Sequence, residues 1–329
     1  MHITVLSGGI GGARFLRGLL HHLDTASGGP HRVSVIGNTA DDITLHGLRV
    51  CPDLDTVMYT LGGGVHPEQG WGRDGETTAV ADELKEYGAG PDWFTLGDRD
   101  IATHLVRSRM LGLGYRLGAV TTALSVRWKL GTRHGTELLP MSEDPVETHV
   151  VIDDPDSPGG QRAIHFQEWW VRYRAELPAR RIVVVGVESA AAGPGVLEAI
   201  RGCDLVLLPP SNPVVSIGTI LAVPGVRDAL RGTRAPVVGL SPIVGGVPLR
   251  GMADACLRAV GVATTARAVG GLFADLLDAW MVDVKDAELD GTLVPGGRAR
   301  VRAVPLLMSD LAATAEMARV ALDLGRGQR

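Results

Sequence analysis

Cysteine is nearly missing from this 329-residue chain, which has only Cys51, Cys203 and Cys256. An odd number of distant thiols with no C-x-x-C pair excludes a disulfide framework and a zinc knuckle, and leaves buried free thiols as the simple reading. Lysine is equally scarce: Lys85, Lys129 and Lys285 stand against 29 arginines, so a phosphate clamp has to be built mainly from guanidinium forks and backbone amides. No apolar run approaches the roughly 18 residues of a membrane span, since even the run 182–187 stops within six positions. The first residues enter a glycine loop at once and lack the basic and long apolar regions of a secretory signal. The expected location is therefore the cytoplasm. Positive charge is also in deficit, with a net charge of −5, which argues against nucleic acid as a partner. Apolar residues at 45% and charged residues at 21% exclude a disordered chain.

The length allows two domains of about 100–200 residues or one large α/β unit with an insertion. Residues 3–6 form a β-rich run, 7–12 a glycine turn, 15–23 carry apolar residues at helical spacing, and 32–36 read as a second strand, which together make a parallel βαβ unit. Near-continuous apolar runs return at 181–187, 204–208 and 235–240, the pattern of strands buried on both faces. Helical segments fall at 194–201 and 226–231, further strands at 279–284 and 301–307, a closing helix at 312–324, and a frayed polar end at 325–329. The middle is richer in helical and tryptophan-bearing segments, at 82–87, 101–111, 120–130 and 165–173, with a hairpin loop at 153–160. The fold class expected is α/β: a Rossmann-like, mostly parallel sheet flanked by helices. Residues 1–50 and 180–329 make its nucleotide-binding core, and 51–179 an inserted, mainly helical substrate subdomain.

Ser7-Gly8-Gly9-Ile10-Gly11-Gly12-Ala13-Arg14 lies between the first strand and the first helix, where glycines let a phosphate approach free backbone N–H groups. A P-loop is excluded because Ala13 and Arg14 replace its Lys-Ser/Thr. A dinucleotide fingerprint fails at Arg14, and the second strand ends in Gly37-Asn38 without a ribose-binding acid, so NAD is disfavoured. Asp41, Asp42, Asp53 and Asp55 cluster in loops where strands end. Carboxylates near phosphates suit magnesium, with Asp41, Asp42 and Asp55 the candidates. The competing reading is that Asp53 or Asp55 caps a helix. In Leu96-Gly97-Asp98-Arg99-Asp100, Asp100 is a natural cap and Arg99 can grip a phosphate. Ser211, Asn212 and Ser216 follow a buried strand and suit a base, ribose or phosphate oxygen, although proline-rich turn chemistry explains much of this loop. His165-Phe166-Gln167-Glu168-Trp169-Trp170 is aromatic in a chain with 4% aromatics, and reads either as packed core or as a platform for a flat heterocycle. No H-E-x-x-H or G-x-S-x-G string occurs.

Taken in order, Ser-Gly-Gly-x-Gly-Gly at 7–12, Asn-Thr-Ala-Asp-Asp at 38–42, Pro-Asp-Leu-Asp-Thr at 52–56, Leu-Gly-Asp-Arg-Asp at 96–100, Ala-Thr-His at 102–104, His-Phe-Gln-Glu-Trp-Trp at 165–170 and Pro-Ser-Asn-Pro at 210–213 resemble the CofD/FbiA family over essentially the whole chain. The resemblance implies a 2-phospho-L-lactate or phosphoenolpyruvate transferase of coenzyme F420 biosynthesis, working with Mg2+. Its donor is a guanosine diphosphate-linked phospho-acid, made by a partner guanylyltransferase. Its acceptor is the terminal hydroxyl of the deazaflavin Fo, and it releases GMP. The same resemblance implies a homodimer. It makes Asp41 and Asp55 catalytic, Asp41, Asp42 and Asp55 metal-binding, and Asp55, Thr95, Asp98 and Arg99 part of the Fo site. Gly8, Gly9, Gly11, Gly12, Asn38, Ser211, Asn212 and Ser216 would then hold the donor.

The alternative is a YvcK-like, non-enzymatic nucleotide-sugar-binding regulator, which shares the glycine loop and α/β core but not the strings at 52–56 and 165–170. If Asp55 orients the acceptor hydroxyl, Asp55→Asn keeps the fold and loses most turnover; near-normal turnover removes Asp55 from the mechanism.

Overall fold

Seven strands form the central sheet of the computed structural model, which describes residues 1–26 and 29–327. From one edge to the other they are Arg300–Ala303, Ala279–Val282, Val237–Leu240, Leu205–Leu208, His2–Ser7, Arg32–Gly37 and Glu137–Pro140, and every neighbouring pair is parallel. Counted along the chain, the order runs outward in both directions from His2–Ser7, as in doubly wound folds. It reverses between His2–Ser7 and Leu205–Leu208, and a crevice opens beyond the carboxyl ends of strands at such a point.

The inner strands are buried throughout because their residues are apolar on both faces. On one face the helices Ile10–Thr25 and Leu311–Arg326 pack together, joining Phe15, Leu16, Leu19 and Leu20 to Met317, Ala318, Ala321 and Leu322 in one cluster. On the other face, Val196–Gly202, Ile217–Ala222 and Val226–Gly232 cover Leu6, Ile36, Val206 and Leu208. The closing helix reaches Arg326; of the polar end expected at 325–329, residues 328 and 329 lie outside the described residues. Among those described, no helix is long and apolar enough to cross a membrane.

Two strands differ from their expected positions. The run expected as a core strand at 181–187 is observed at Ala179–Val185. It is half-exposed and antiparallel to Glu147–Asp153 in a separate three-stranded sheet completed by Gln161–His165. A valine run looks the same in hydropathy whether one or two of its faces are covered; here its inner face meets Val150, Ile164 and Phe166. Conversely Glu137–Pro140, within the segment expected as a helical insertion, pairs with Arg32–Gly37 at the edge of the main sheet. Its terminal proline is tolerated on an edge strand. Helices Pro52–Leu61, Ala79–Glu86, Asp98–Gly112 and Leu117–Arg127 lie between the second and third core strands of the chain, and the hairpin loop at 153–160 connects two strands of the small sheet.

The close crossing of the first and last helices rests on Gly18, where an added Cβ would stand 2.7 Å from the Cβ and carbonyl carbon of Thr314. Gly18→Ala is expected to destabilise the chain by about 1–3 kcal/mol through overpacking, read as a lowered urea midpoint. An unchanged midpoint would show that the helix pair adjusts freely.

Candidate active site

Three chain segments meet at the point where the strand order reverses. The first is the start of helix Ile10–Thr25, which has no side-chain cap and no acid in its first turn, so its N–H groups and positive dipole end face the crevice. The second, the loop after Leu205–Leu208, presses against it: a Cβ on Gly11 would collide with the Pro210 carbonyl oxygen, and one on Gly8 with the Ser216 hydroxyl. The third is the amino end of helix Pro52–Leu61, which begins with proline at its first position and carries Asp53 in its first turn.

Between them lies a cavity of about 540 Å³. Gly9, Ile10 and Gly11 form its floor, Ser211, Asn212 and Ser216 one wall, Asp41 and Asp53 another, and Trp71, Trp93, Phe94, Phe166 and Trp170 an aromatic rim, with Thr95 and Arg250 also at the lining.

Asp41 is 5% exposed and its Oδ1 has no hydrogen-bond partner among the described residues. Burial pushes its carboxyl well above the ordinary range, and the Asp53 and Asp42 carboxylates add to the rise. Asp53 is raised to about 6, by burial, against the opposing hydrogen bonds from Asn38 and from the Gly9 backbone N–H. Asn38 braces the whole junction. Its amide donates to Asp53 Oδ2 at 2.9 Å and to the Val215 carbonyl at 3.2 Å, while its Oδ1 accepts from Thr219 at 2.8 Å and from the Ala40 N–H at 3.1 Å. Gln167 holds the other carboxylate's backbone, donating to the Asp41 carbonyl at 3.1 Å. The aromatic string divides its labour: Trp169 is buried and donates to the Leu177 carbonyl at 2.8 Å, whereas Phe166 and Trp170 line the cavity.

Of the other residues singled out from sequence, Asp42, Asp55, Asp98 and Arg99 stand away from the cavity, while Asn212 lines it with its own Oδ1 already engaged. Asp42 turns away from the cavity, paired with Arg49 at 3.3 Å and raised to about 7 by burial. Asp55 lies behind the cavity wall, ion-paired with Arg107 and 3.7 Å from His104. Asp98 caps helix Ala79–Glu86, accepting from the backbone N–H groups of Ala79 and Val80 at 3.1 and 2.9 Å, and Arg99 donates to the Asp74 carbonyl at 2.9 Å. Asn212 folds its Oδ1 back onto the Val214 and Val215 N–H groups at 3.0 and 3.2 Å, the local turn chemistry of asparagine. Gly8 and Gly12 shape the loop without lining the cavity.

Sequence reasoning missed Asp53 as a wall residue, together with Arg250 and the tryptophans at 71 and 93. Asp53 and Asp55 are two apart and so point to nearly opposite sides of their helix, and the core-facing Leu54, Val57 and Met58 lie between the two directions, so no signal in the sequence chooses which acid faces the open side.

The sheet order, the reversal point and the crevice above it define a doubly wound α/β protein with a ligand cleft. Residues 3–294 match the family described as 2-phospho-L-lactate transferase CofD, and the chain belongs to that family. Relatives named phosphoenolpyruvate transferase include one from Thermobifida fusca, 62% identical over 328 residues and covering 98% of each chain. A second, from Kitasatospora aureofaciens, is 60% identical over 100% of this chain and 99% of its own length, and a third, from Mycolicibacterium smegmatis, is 56% identical over 98% of each. A crystal structure of a UPF0052-family protein from Bacillus halodurans shares the fold, with a TM-score of 0.61, 16% identity and 98% coverage of both chains.

Two predictions follow from the placement of the acids. A carboxyl raised in the folded state keeps its proton to higher pH than in the unfolded chain, so its contribution to stability is complete below about pH 4 and is lost as pH rises through the raised value. Asp41→Asn is therefore expected to raise the Tm of the ligand-free protein at pH 7.5 and to flatten the decline from acid to neutral pH; a lower Tm at pH 7.5 contradicts the assignment. For Asp55, the ion pair replaces the expectation of an intact fold. Asp55→Asn strands a buried guanidinium, with an expected loss of about 3–5 kcal/mol on chemical denaturation, and a stability equal to the parent's would return Asp55 to a purely catalytic role.

Proposed function

We propose that this chain is a transferase of coenzyme F420 biosynthesis. It moves a phosphoenolpyruvyl group, or its 2-phospho-L-lactyl counterpart, from a guanosine diphosphate-linked donor to the terminal ribityl hydroxyl of Fo, giving dehydro coenzyme F420-0 (or F420-0) and GMP. Family membership and the name carried by relatives of 54–62% identity support the transfer, and favour the phosphoenolpyruvyl donor. The observation that carries the reading is the composition of one cavity: an uncapped helix start, the buried Asp41 and half-buried Asp53 carboxylates, and a broad aromatic rim. A nucleotide-sugar-binding regulator has no need of the last, and the 16% identity to the UPF0052 protein speaks only for the fold.

The residues present fit a magnesium ion. Asp41 offers a partnerless Oδ1 and Asp53 faces the same space. No cluster of three or more His, Cys, Asp or Glu ligands occurs among the described residues, so the other positions fall to phosphate and water, the usual habit of this hard cation. Bound there, magnesium would neutralise charge on the diphosphate. The N–H groups of the helix start hold the donor's phosphates, with the Ser211 and Ser216 hydroxyls beside them. The rim, Trp71, Trp93, Phe94 and Trp170, stacks the flat deazaflavin.

In the transfer, the Fo hydroxyl oxygen forms a bond to the phosphorus that bears the three-carbon acid. The bond from that phosphorus to the oxygen of GMP breaks, and the hydroxyl proton passes to a cavity carboxylate. Asp41 and Asp53 are the carboxylates that line the cavity, and in this reading one of them, ionised, takes that proton. Catalysis is otherwise positioning and electrostatics. Asp55 acts at one remove, fixing through Arg107 the helix that presents Asp53. A homodimer belongs to the same proposal, supported by Leu105, Leu113, Tyr115 and Val126, which stand exposed along helices Asp98–Gly112 and Leu117–Arg127 and the turn between them.

The test is a coupled reaction of Fo, GTP, magnesium and phosphoenolpyruvate with an active donor-forming guanylyltransferase, 2-phospholactate replacing phosphoenolpyruvate in a parallel tube, followed by mass spectrometry of the deazaflavin. A phosphoenolpyruvyl adduct that disappears with chelator, and with Asp41→Asn, is the expected result. A phospholactyl adduct alone transfers the proposal to the other donor, and unmodified Fo in both tubes overturns it.

A further inference from the structure

Three charged residues line the cavity, and only one is a cation: Arg250, against Asp41 and Asp53. It follows the small hairpin Ile243–Val244 and Val247–Pro248. It precedes Gly251, whose φ of 65° and close approach to the Trp170 ring, 2.9 Å from a Cβ added there, fix the backbone against the aromatic rim. The Arg250 guanidinium makes one long hydrogen bond, 3.4 Å to the Gln69 carbonyl, and has no carboxylate partner among the described residues. Arg14, in the first helix, is likewise without a carboxylate partner, and its Nη2 stands 3.4 Å from where a Cβ on Gly70 would be. The segment 69–71 therefore touches both guanidinium groups and contributes Trp71 to the same cavity. The Arg14 pKa is lowered, by burial first and then by Arg250 and Arg17. Elsewhere arginines such as Arg180, Arg227 and Arg319 close on carboxylates in bidentate or shared pairs; these two form no such pair among the described residues.

A guanidinium without a carboxylate partner at a cavity lining is a site for an anion, and the planar fork of arginine matches a carboxylate. In the transferase reading, on which this inference rests, the donor carries two kinds of negative group. Its phosphates have the helix start and the cation-holding acids. Its three-carbon acid has a carboxylate that would be repelled by Asp41 and Asp53 and needs a positive partner of its own. We infer that Arg250, supported by Arg14, binds the carboxylate of the three-carbon acid carried by the donor and thereby selects the group that is transferred.

The test compares two ligands that differ in that carboxylate. Wild-type protein, Arg250→Gln and Arg250→Lys are titrated calorimetrically with GDP and with lactyl-2-diphospho-5'-guanosine in the presence of magnesium. Loss of a charge-assisted fork is expected to weaken the carboxylate-bearing ligand about tenfold or more in Arg250→Gln, with GDP unchanged within about twofold. Arg250→Lys, which keeps the charge and loses the fork, is expected to fall between. Retained GDP affinity also reports that the variant is folded, and the KM for Fo should not move. Equal weakening of both ligands would assign Arg250 to the diphosphate and overturn the inference, as would no weakening of either. If wild-type protein binds neither guanosine compound, the transferase reading itself fails and takes this inference with it, an outcome distinct from binding without discrimination.

Discussion

Two carboxylates share one cavity with too little positive charge to balance them, and much of the surrounding structure exists to keep them there. Asp41 is buried with an Oδ1 that has no hydrogen-bond partner among the described residues, and Asp53 is raised to about 6. Taking ionised carboxylates out of water is unfavourable unless an opposite charge is supplied. Arg250 lines the same cavity without an ion pair to either acid among the described residues, and the hydrogen bonds of Asn38 and Gln167 fix the geometry without neutralising it. In the function proposed above, a cation and the phosphate oxygens of the donor meet that deficit. The reversal of strand order sets the two acids directly against the uncapped start of the first helix.

A second polar cluster lies behind the wall and does a different job. Arg107 is buried and bridges Asp55 on one helix to the Arg49 carbonyl of the hairpin Ile43–Leu45 and Leu48–Val50. Burial works against its charge, but the charge and hydrogen bond of Asp55, with Cys51 and Tyr59, together raise its pKa and keep it charged. His104 accepts from Arg107 through Nδ1 at 3.1 Å, and burial lowers it to about 4, so it stays neutral. Asp100, raised to about 7 by burial and the nearby Asp55, accepts from the Tyr59 hydroxyl at 2.6 Å. This network ties helix Pro52–Leu61 to helix Asp98–Gly112 and so fixes the direction in which Asp53 points. The cavity wall and its scaffold are thus two faces of one helix turn.

Much of this was legible in the residues. The first βαβ unit, the inner core strands and the closing helix announce themselves because apolar runs and helical periodicity there have one structural meaning. The runs at 137–140 and 181–187 do not, since a short polar edge strand and a one-sided valine strand carry no hydropathy signature of the sheet they join. For the site, the loops were readable and the directions were not. The glycine loop, Asp41 and the 211–216 loop meet as loops at strand ends should, but whether Asp53 or Asp55 faces the cavity depends on about half a turn of helix. Arg99 looks like a phosphate grip in sequence, and Asp98 part of the Fo site by resemblance; in the structure they make a loop brace and a helix cap, because neighbouring backbone carbonyl and N–H groups compete for the same side chains. Arg250 belongs to no recognisable string and becomes meaningful only through what surrounds it.

The central claim, that Asp41 and Asp53 hold a cation against phosphates lying over the helix start, is tested most directly by crystals grown with GDP and Mn2+ and measured at the manganese absorption edge. The account predicts a single anomalous peak in contact with both carboxylates and with the diphosphate, above Gly9 and Ile10. A peak on the far side of the wall beside Asp42 or Asp55, or GDP bound in the cavity with no cation between these two acids, would contradict it.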